Sequence, residues 1–107
     1  MKMTTHTHSA PLTLQLRDQA DYTKSGVSRT SLVKDEQGQF SLVCLSAGTH
    51  LPEHTASRNV TVTVIEGRGI LNLDGREVAL EPGVFVYMPA HTPHALQALE
   101  NLAFLHT

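Results

Sequence analysis

The chain has 107 residues, of which 40% are hydrophobic, so it can form one domain around a single core. Its eight basic and ten acidic residues give a formal net charge of −2, and the basic residues form no run. This excludes the electrostatic footprint of a protein that binds nucleic acid or an anionic membrane. Cys44 is the single cysteine, so no disulfide forms within the chain, and no stretch approaches the roughly 20 apolar residues of a membrane span. We expect a cytoplasmic protein.

Residues 1–10 are polar, and we expect them to form a flexible tail ahead of one domain over residues 11–107. From Pro11 onward apolar and polar residues alternate, and no stretch of useful length has the helical period. The pattern predicts about nine short strands, the strongest being the β-branched run 60–65. The predicted strands cover residues 12–16, 32–33, 40–45, 60–65, 70–73, 78–80, 84–88, 95–99 and 102–105.

Turn residues separate these strands at short intervals. Asp74-Gly75 predicts a hairpin, because both turn positions tolerate positive φ, and Pro82-Gly83 fits a type II turn. Residues 50–54 are predicted to be a loop bent by Pro52, and residues 89–93 a rigid loop. Short strands with regular turns predict a closed barrel or jelly roll, in which closure removes the exposed edges.

The spacing of glycines, prolines and histidines resembles the two motifs of the cupin superfamily, in particular its small single-domain members. The first motif, G-x5-H-x-H-x3,4-E-x6-G, is matched at Gly48, His54 and Gly67. The second motif, G-x5-P-x-G-x2-H-x3-N, is matched at Gly83, Pro89 and His94. The resemblance covers residues 41–105 and implies an all-β fold, a cupin-type double-stranded β-helix or jelly-roll barrel in one domain.

The chain also departs from this pattern. The positions of the family's second histidine, its glutamate, its second-motif glycine and its final asparagine hold Ala56, Val60, His91 and Ala98. Of the four residues that usually hold the metal in this family, only His54 and His94 are present.

A catalytic zinc or non-haem iron site generally has three protein ligands. We therefore expect His50 or His91 to complete a site with His54 and His94, with Glu53 as a further candidate. Imidazoles suit several divalent transition metals, so Zn, Fe, Ni, Cu and Mn all stay open. His106 is predicted to be structural or at the surface.

If the two matched histidines face the interior, strand alternation places an apolar pocket beside them. The predicted pocket residues are Val60, Val62, Val64, Tyr87, Met88 and Leu96, and Cys44 is a further candidate. Such a pocket suits a small, partly apolar ligand.

Two functions are consistent with this site: a metal-dependent enzyme, like an oxygenase or isomerase, or a metal-free module that binds or senses a small molecule. The residues do not decide between them, and no catalytic residue follows from spacing. We expect no nucleic-acid or membrane partner. A homodimer is expected, paired through the Thr61, Thr63 and Ile65 face and the strand at residues 12–16.

Overall fold

Two antiparallel β-sheets contain nearly all of the regular secondary structure in the computed structural model, which describes residues 10–107. In chain order the elements are α1 (Leu16–Gln19), β1 (Val27–Asp35), β2 (Gly38–Leu45), β3 (His50–His54), β4 (Val60–Glu66), β5 (Gly69–Leu73), β6 (Arg76–Leu80), β7 (Phe85–Met88), β8 (His94–Ala98) and β9 (Leu102–His106). One sheet has the order β1-β2-β9-β4-β7 and the other β3-β8-β5-β6. This is the all-β jelly roll that the sequence predicts. Residues 1–9 of the predicted tail lie outside the described part of the chain.

The main core lies between the two sheets and follows from strand alternation. On β4 the buried Val60, Val62 and Val64 face inward, while Thr61 and Thr63 face outward and are half-buried. The largest fully buried side chains of the cluster come from both sheets: Val43, Leu45, Leu71, Leu80 and Leu102. The core therefore joins the two sheets face to face.

The turn chemistry agrees with the predicted hairpin. Asp74 and Gly75 have φ values of 51° and 85°, and β5 pairs with β6 on either side of them. Two successive positive φ values match the right-handed twist of the flanking strands, which is why Asp-Gly is favoured in such turns.

A second, smaller cluster lies on the outer face of the five-stranded sheet. Leu14 and Leu16 pack there over Leu42, Cys44 and Ala103. The predicted strand at residues 12–16 is therefore wrong, since this segment crosses the face of the sheet without pairing and then enters α1. The alternating leucines of this segment lie on the side that contacts the sheet. The alternation predicted a strand, but a strand also needs a neighbouring strand for its hydrogen bonds, and alternation alone does not provide one.

The expected dimer surface is also partly covered. Ile65 packs against this outer cluster, so only part of its side chain is exposed to a second copy. Thr61 and Thr63 lie beside Tyr87 and Phe85 of β7, whose side chains are exposed. Pairing of two copies through this remaining area stays a prediction, which static light scattering tests.

Two further segments differ from the predictions. Residues 50–54 form the edge strand β3 rather than a loop, because a proline is tolerated on an edge where no neighbouring strand needs its missing N–H. Strand β1 begins at Val27, ahead of the predicted 32–33. Its first half is polar because it is also an edge strand and half-exposed.

Within residues 10–107 no helix has the length and apolar character needed to cross a membrane.

Candidate functional site

The rings of His54 and His94 lie side by side where β3 pairs with β8. The two residues are direct cross-strand partners, their ring centroids are 4.2 Å apart, and the ring planes are tilted by 57°. Residues 40 positions apart in the sequence are thus brought together by the pairing of an edge strand with its neighbour.

A β-bulge turns the side chain of His54 toward a cavity, at whose mouth this edge-strand residue stays exposed. Leu51 pairs with Leu96, and three residues later His54 pairs with His94, only two residues before Leu96. Without the extra residue, alternation would place His54 on the face opposite Leu51. With the bulge, both side chains line the same cavity.

Backbone carbonyls fix the orientation of both rings. Nδ1 of His54 lies 3.0 Å from the carbonyl oxygen of Pro52, and Nδ1 of His94 lies 2.9 Å from that of Thr92. A carbonyl can only accept, so these contacts assign the hydrogen to Nδ1. In each neutral ring Nε2 then carries the lone pair and is free to accept a hydrogen bond or to bind a metal.

The histidine pair opens onto a cavity of about 50 Å³ between the two sheets. Its lining is mainly apolar, with one arginine and three histidines: Arg29, Val43, Leu51, His54, Val62, Leu71, Met88, His94, Leu96, Phe104 and His106. A space of this size holds about four atoms of a ligand, given that one water takes up about 10–15 Å³ on this measure. A longer ligand would extend out of the mouth.

Three of the predicted pocket residues, Val62, Met88 and Leu96, line this cavity. Val60 and Val64 belong to the same core but are not among the lining residues.

The assignment of Tyr87 to the pocket is corrected by the structure. Its neighbours on β7, Val86 and Met88, are buried, so alternation turns Tyr87 outward, where it is 53% exposed. Cys44 also lies away from the cavity, in the outer cluster, where burial raises the pKa of its thiol. It is an inert buried thiol, as expected for such surroundings.

A profile of the cupin domain family matches residues 41–106, more than half of the chain. The chain is a cupin. An uncharacterised protein of Methanocaldococcus jannaschii is 29% identical over 62 residues, which cover 58% of this chain and 49% of that relative. This cupin thus spans about half the length of the curated relative it matches.

Solved structures agree with the fold. A conserved protein of unknown function from Streptococcus pyogenes superposes with a TM-score of 0.80 at 21% identity, over 97% of this cupin and 91% of that chain. A salicylate 1,2-dioxygenase from Pseudaminobacter salicylatoxidans superposes with a TM-score of 0.69 at 22% identity, over 84% of this cupin and 28% of that chain.

The other two predicted metal ligands of this cupin lie elsewhere. His50 pairs with Gln97 and lines a groove that does not contain the histidine pair. His91 is in the loop before β8 with a φ of +69°, and its N–H donates to the carbonyl of Ala56 at 2.7 Å. Among residues 10–107 no three His, Cys, Asp or Glu side chains are grouped so that they could hold a metal ion.

Two polar residues of the cavity, His106 and Arg29, were not predicted from the sequence. His106 ends β9, where alternation from the buried Leu102 and Phe104 turns it inward. That alternation was visible in the sequence. Arg29 lies in the polar half of β1, which no strand prediction covered, so nothing in the pattern indicated its direction.

His106 resists protonation in the folded cupin. Burial, followed by the charges of Arg29 and Arg58 and the rings of His94 and His54, lowers the pKa of His106 from 6.5 to about 4. No acidic side chain is among the causes of this shift. The ring is thus neutral near pH 7.

We predict that this shift makes the fold sensitive to acid. The unfolded chain protonates His106 near pH 6.5 and the folded chain only near pH 4, so the unfolded state binds the extra proton between these values. The free energy of unfolding should therefore fall as the pH drops through this window, by about 2 kcal/mol for this residue after allowance for solvent screening of a partly exposed ring. Urea denaturation at pH 7 and pH 4 measures it. His106→Gln should show a correspondingly smaller decrease, and an equal decrease in both proteins would contradict the assignment.

Proposed function

We propose that this cupin binds a small organic molecule in the cavity, with a hydroxyl group of the ligand donating to Nε2 of His54 or His94. The observation that supports this proposal is the pair of rings at one end of an otherwise largely apolar space, each with Nδ1 bonded to a carbonyl. A neutral ring held in this way presents an acceptor and no donor, so the complementary group of the ligand is a donor.

The apolar lining favours a ligand with a short hydrocarbon part. Val62, Leu71, Leu96 and Phe104 would contact it, and their burial away from water makes this contact favourable. Preformed sites of this kind have a few polar groups that orient the ligand within an apolar wall.

Two neutral compounds that differ only in the hydroxyl group test the proposal. Lactamide and propionamide have the same carbon skeleton, and titration of the ¹⁵N-labelled protein followed by NMR gives both dissociation constants. We expect lactamide to bind roughly fivefold more tightly, which corresponds to a net hydrogen bond of about 1 kcal/mol. His54→Phe and His94→Phe should each reduce this preference.

His50→Phe is the matched control, since His50 lies in the separate groove. It should leave the preference for lactamide unchanged. Equal binding of the two amides to the wild-type protein, or an equal effect of His50→Phe and His54→Phe, would overturn the proposal.

A metal-dependent enzyme is the second candidate, and the orientation of the two rings favours it. The Nδ1 contacts with the carbonyls of Pro52 and Thr92 are those that usually orient metal-binding histidines. The similarity to a salicylate 1,2-dioxygenase is in keeping with it.

The donor set is incomplete for a three-ligand centre. Within the described residues, the rings of His54 and His94 are in contact, but no third His, Cys, Asp or Glu side chain is grouped with them as a ligand. The positive charge of Arg29 on the same cavity also disfavours the binding of a cation. A divalent Zn, Fe, Ni, Cu or Mn ion would therefore need ligands from outside this pair. Elemental analysis of protein purified without added metal tests this candidate: stoichiometric metal that is lost in His54→Ala supports it, and substoichiometric metal that is equal in both proteins contradicts it.

A further inference from the structure

We propose that the ligand of this cavity is a carboxylate anion, held by a salt bridge to the guanidinium of Arg29. This inference rests on the proposed function, and it adds the charge and chemical class of the ligand. Together with the hydroxyl group expected at the histidine pair, it identifies a short hydroxy acid.

Arg29 occupies an inward-facing position that otherwise belongs to the core. It pairs across β1 and β2 with Val43, which pairs in turn with Phe104 of β9. Val43 and Phe104 are buried, and Val27, two residues before Arg29, also packs against the main core. Arg29 is therefore the outermost residue of the cross-strand row Arg29, Val43 and Phe104, and its side chain lines the cavity. Arg29 is itself an exposed residue, so its guanidinium lies at the mouth of the cavity, where the carboxylate of an entering ligand can reach it from solvent.

No aspartate or glutamate side chain lines the cavity beside Arg29. All ten acidic residues lie within the described residues 10–107, and none lines the cavity, although the net charge of the chain is −2. With the histidine rings neutral, the guanidinium of Arg29 is the charged group on the cavity lining, and a fixed positive charge there attracts an anion.

The geometry of the guanidinium favours a carboxylate among the possible anions. Its planar fork of N–H donors matches the two oxygens of a carboxylate. The rest of the lining is largely apolar and supplies few further donors, whereas a phosphate presents at least three oxygens that need them. The cavity volume of about 50 Å³ also limits the enclosed part of the ligand to a few atoms.

Lactate and lactamide test the charge separately from the hydroxyl group, because both carry the hydroxyl and only lactate is an anion. Using the same NMR titration at pH 7, we expect lactate to bind roughly tenfold more tightly than lactamide. In Arg29→Gln this preference should disappear, while the affinity for lactamide stays within about twofold. In Arg17→Gln, which removes the same charge from the exposed surface of α1, the preference should persist.

The outcomes separate this inference from the proposed function. If lactamide binds as tightly as lactate while still exceeding propionamide, the anion inference is overturned and the hydroxyl site stands. Tighter binding of inorganic phosphate than of lactate would also overturn it. If Arg17→Gln lowers the affinity for lactate as much as Arg29→Gln does, the attraction comes from the overall charge of the protein, and the salt bridge to Arg29 is refuted. If none of the three organic probes binds, both proposals fail.

Discussion

Gly67→Ala is expected to lower the free energy of unfolding by about 4 kcal/mol, a large fraction of the stability of a typical small domain. Gly67 follows β4 with a φ of +89°, a conformation that costs alanine about 1–2 kcal/mol. A Cβ atom there would also meet the backbone of the β8–β9 turn, 2.7 Å from Cα of Leu102. Since these atoms are backbone next to a fully buried leucine, the clash is relieved only by moving a strand. Urea denaturation followed by circular dichroism measures the change.

Gly83→Ala is the matched control for this substitution. Gly83 has a similar φ of +94°, but a Cβ atom there meets nothing within 4 Å. It should therefore show only the conformational cost of about 1–2 kcal/mol. If the two variants lose the same stability, the close approach of Gly67 to the turn at Asn101 and Leu102 is not a constraint on the fold.

Leu71→Ala is expected to lower the free energy of unfolding by about 3–4 kcal/mol and to enlarge the cavity at the same time. Leu71 is 1% exposed, so the substitution combines lost burial with an unfilled space. Because Leu71 also lines the cavity, the new space adjoins the proposed ligand. 2-Hydroxybutyramide has one methylene more than lactamide. In the variant, the ratio of its affinity to that of lactamide should be roughly fourfold higher than in the wild type, which corresponds to the burial of that one methylene.

Leu45→Ala separates the two effects. Leu45 is equally buried in the same core, at 0% exposure, but it does not line the cavity. It should lose a similar amount of stability in urea denaturation and leave the preference between the two amides unchanged. If the preference changes in Leu45→Ala, or does not change in Leu71→Ala, the ligand does not contact Leu71 in the cavity.

Local signals allowed most of the fold to be predicted from the sequence. The β-branched run at residues 60–65 became β4, and Asp74-Gly75 became the β5–β6 turn, because strand propensity and turn conformation depend on neighbouring residues. The first half of β1 has no such local signal and was therefore not predicted. Its residues are polar, and its strand conformation comes from pairing with β2, which no local pattern reveals.

The candidate site was less predictable, because it depends on contacts between distant strands. The family pattern marked His54 and His94, but the bulge in β3 that turns His54 toward the cavity leaves no trace in the sequence. His91 occupies the position of the family's glycine, and its φ of +69° shows why glycine suits that position. Arg29 reaches the cavity only because β1 extends the sheet beyond β2.

The central claim is that the free Nε2 atoms of His54 and His94 receive the ligand. Long-range ¹H–¹⁵N spectra of the imidazole rings test it most directly, because they report the tautomer of each histidine and its response to lactate. We predict that both rings carry hydrogen on Nδ1 and that their Nε2 resonances shift on addition of lactate, while those of His50 and His91 do not. Shifts at His50 or His91 with none at His54 and His94 would contradict it.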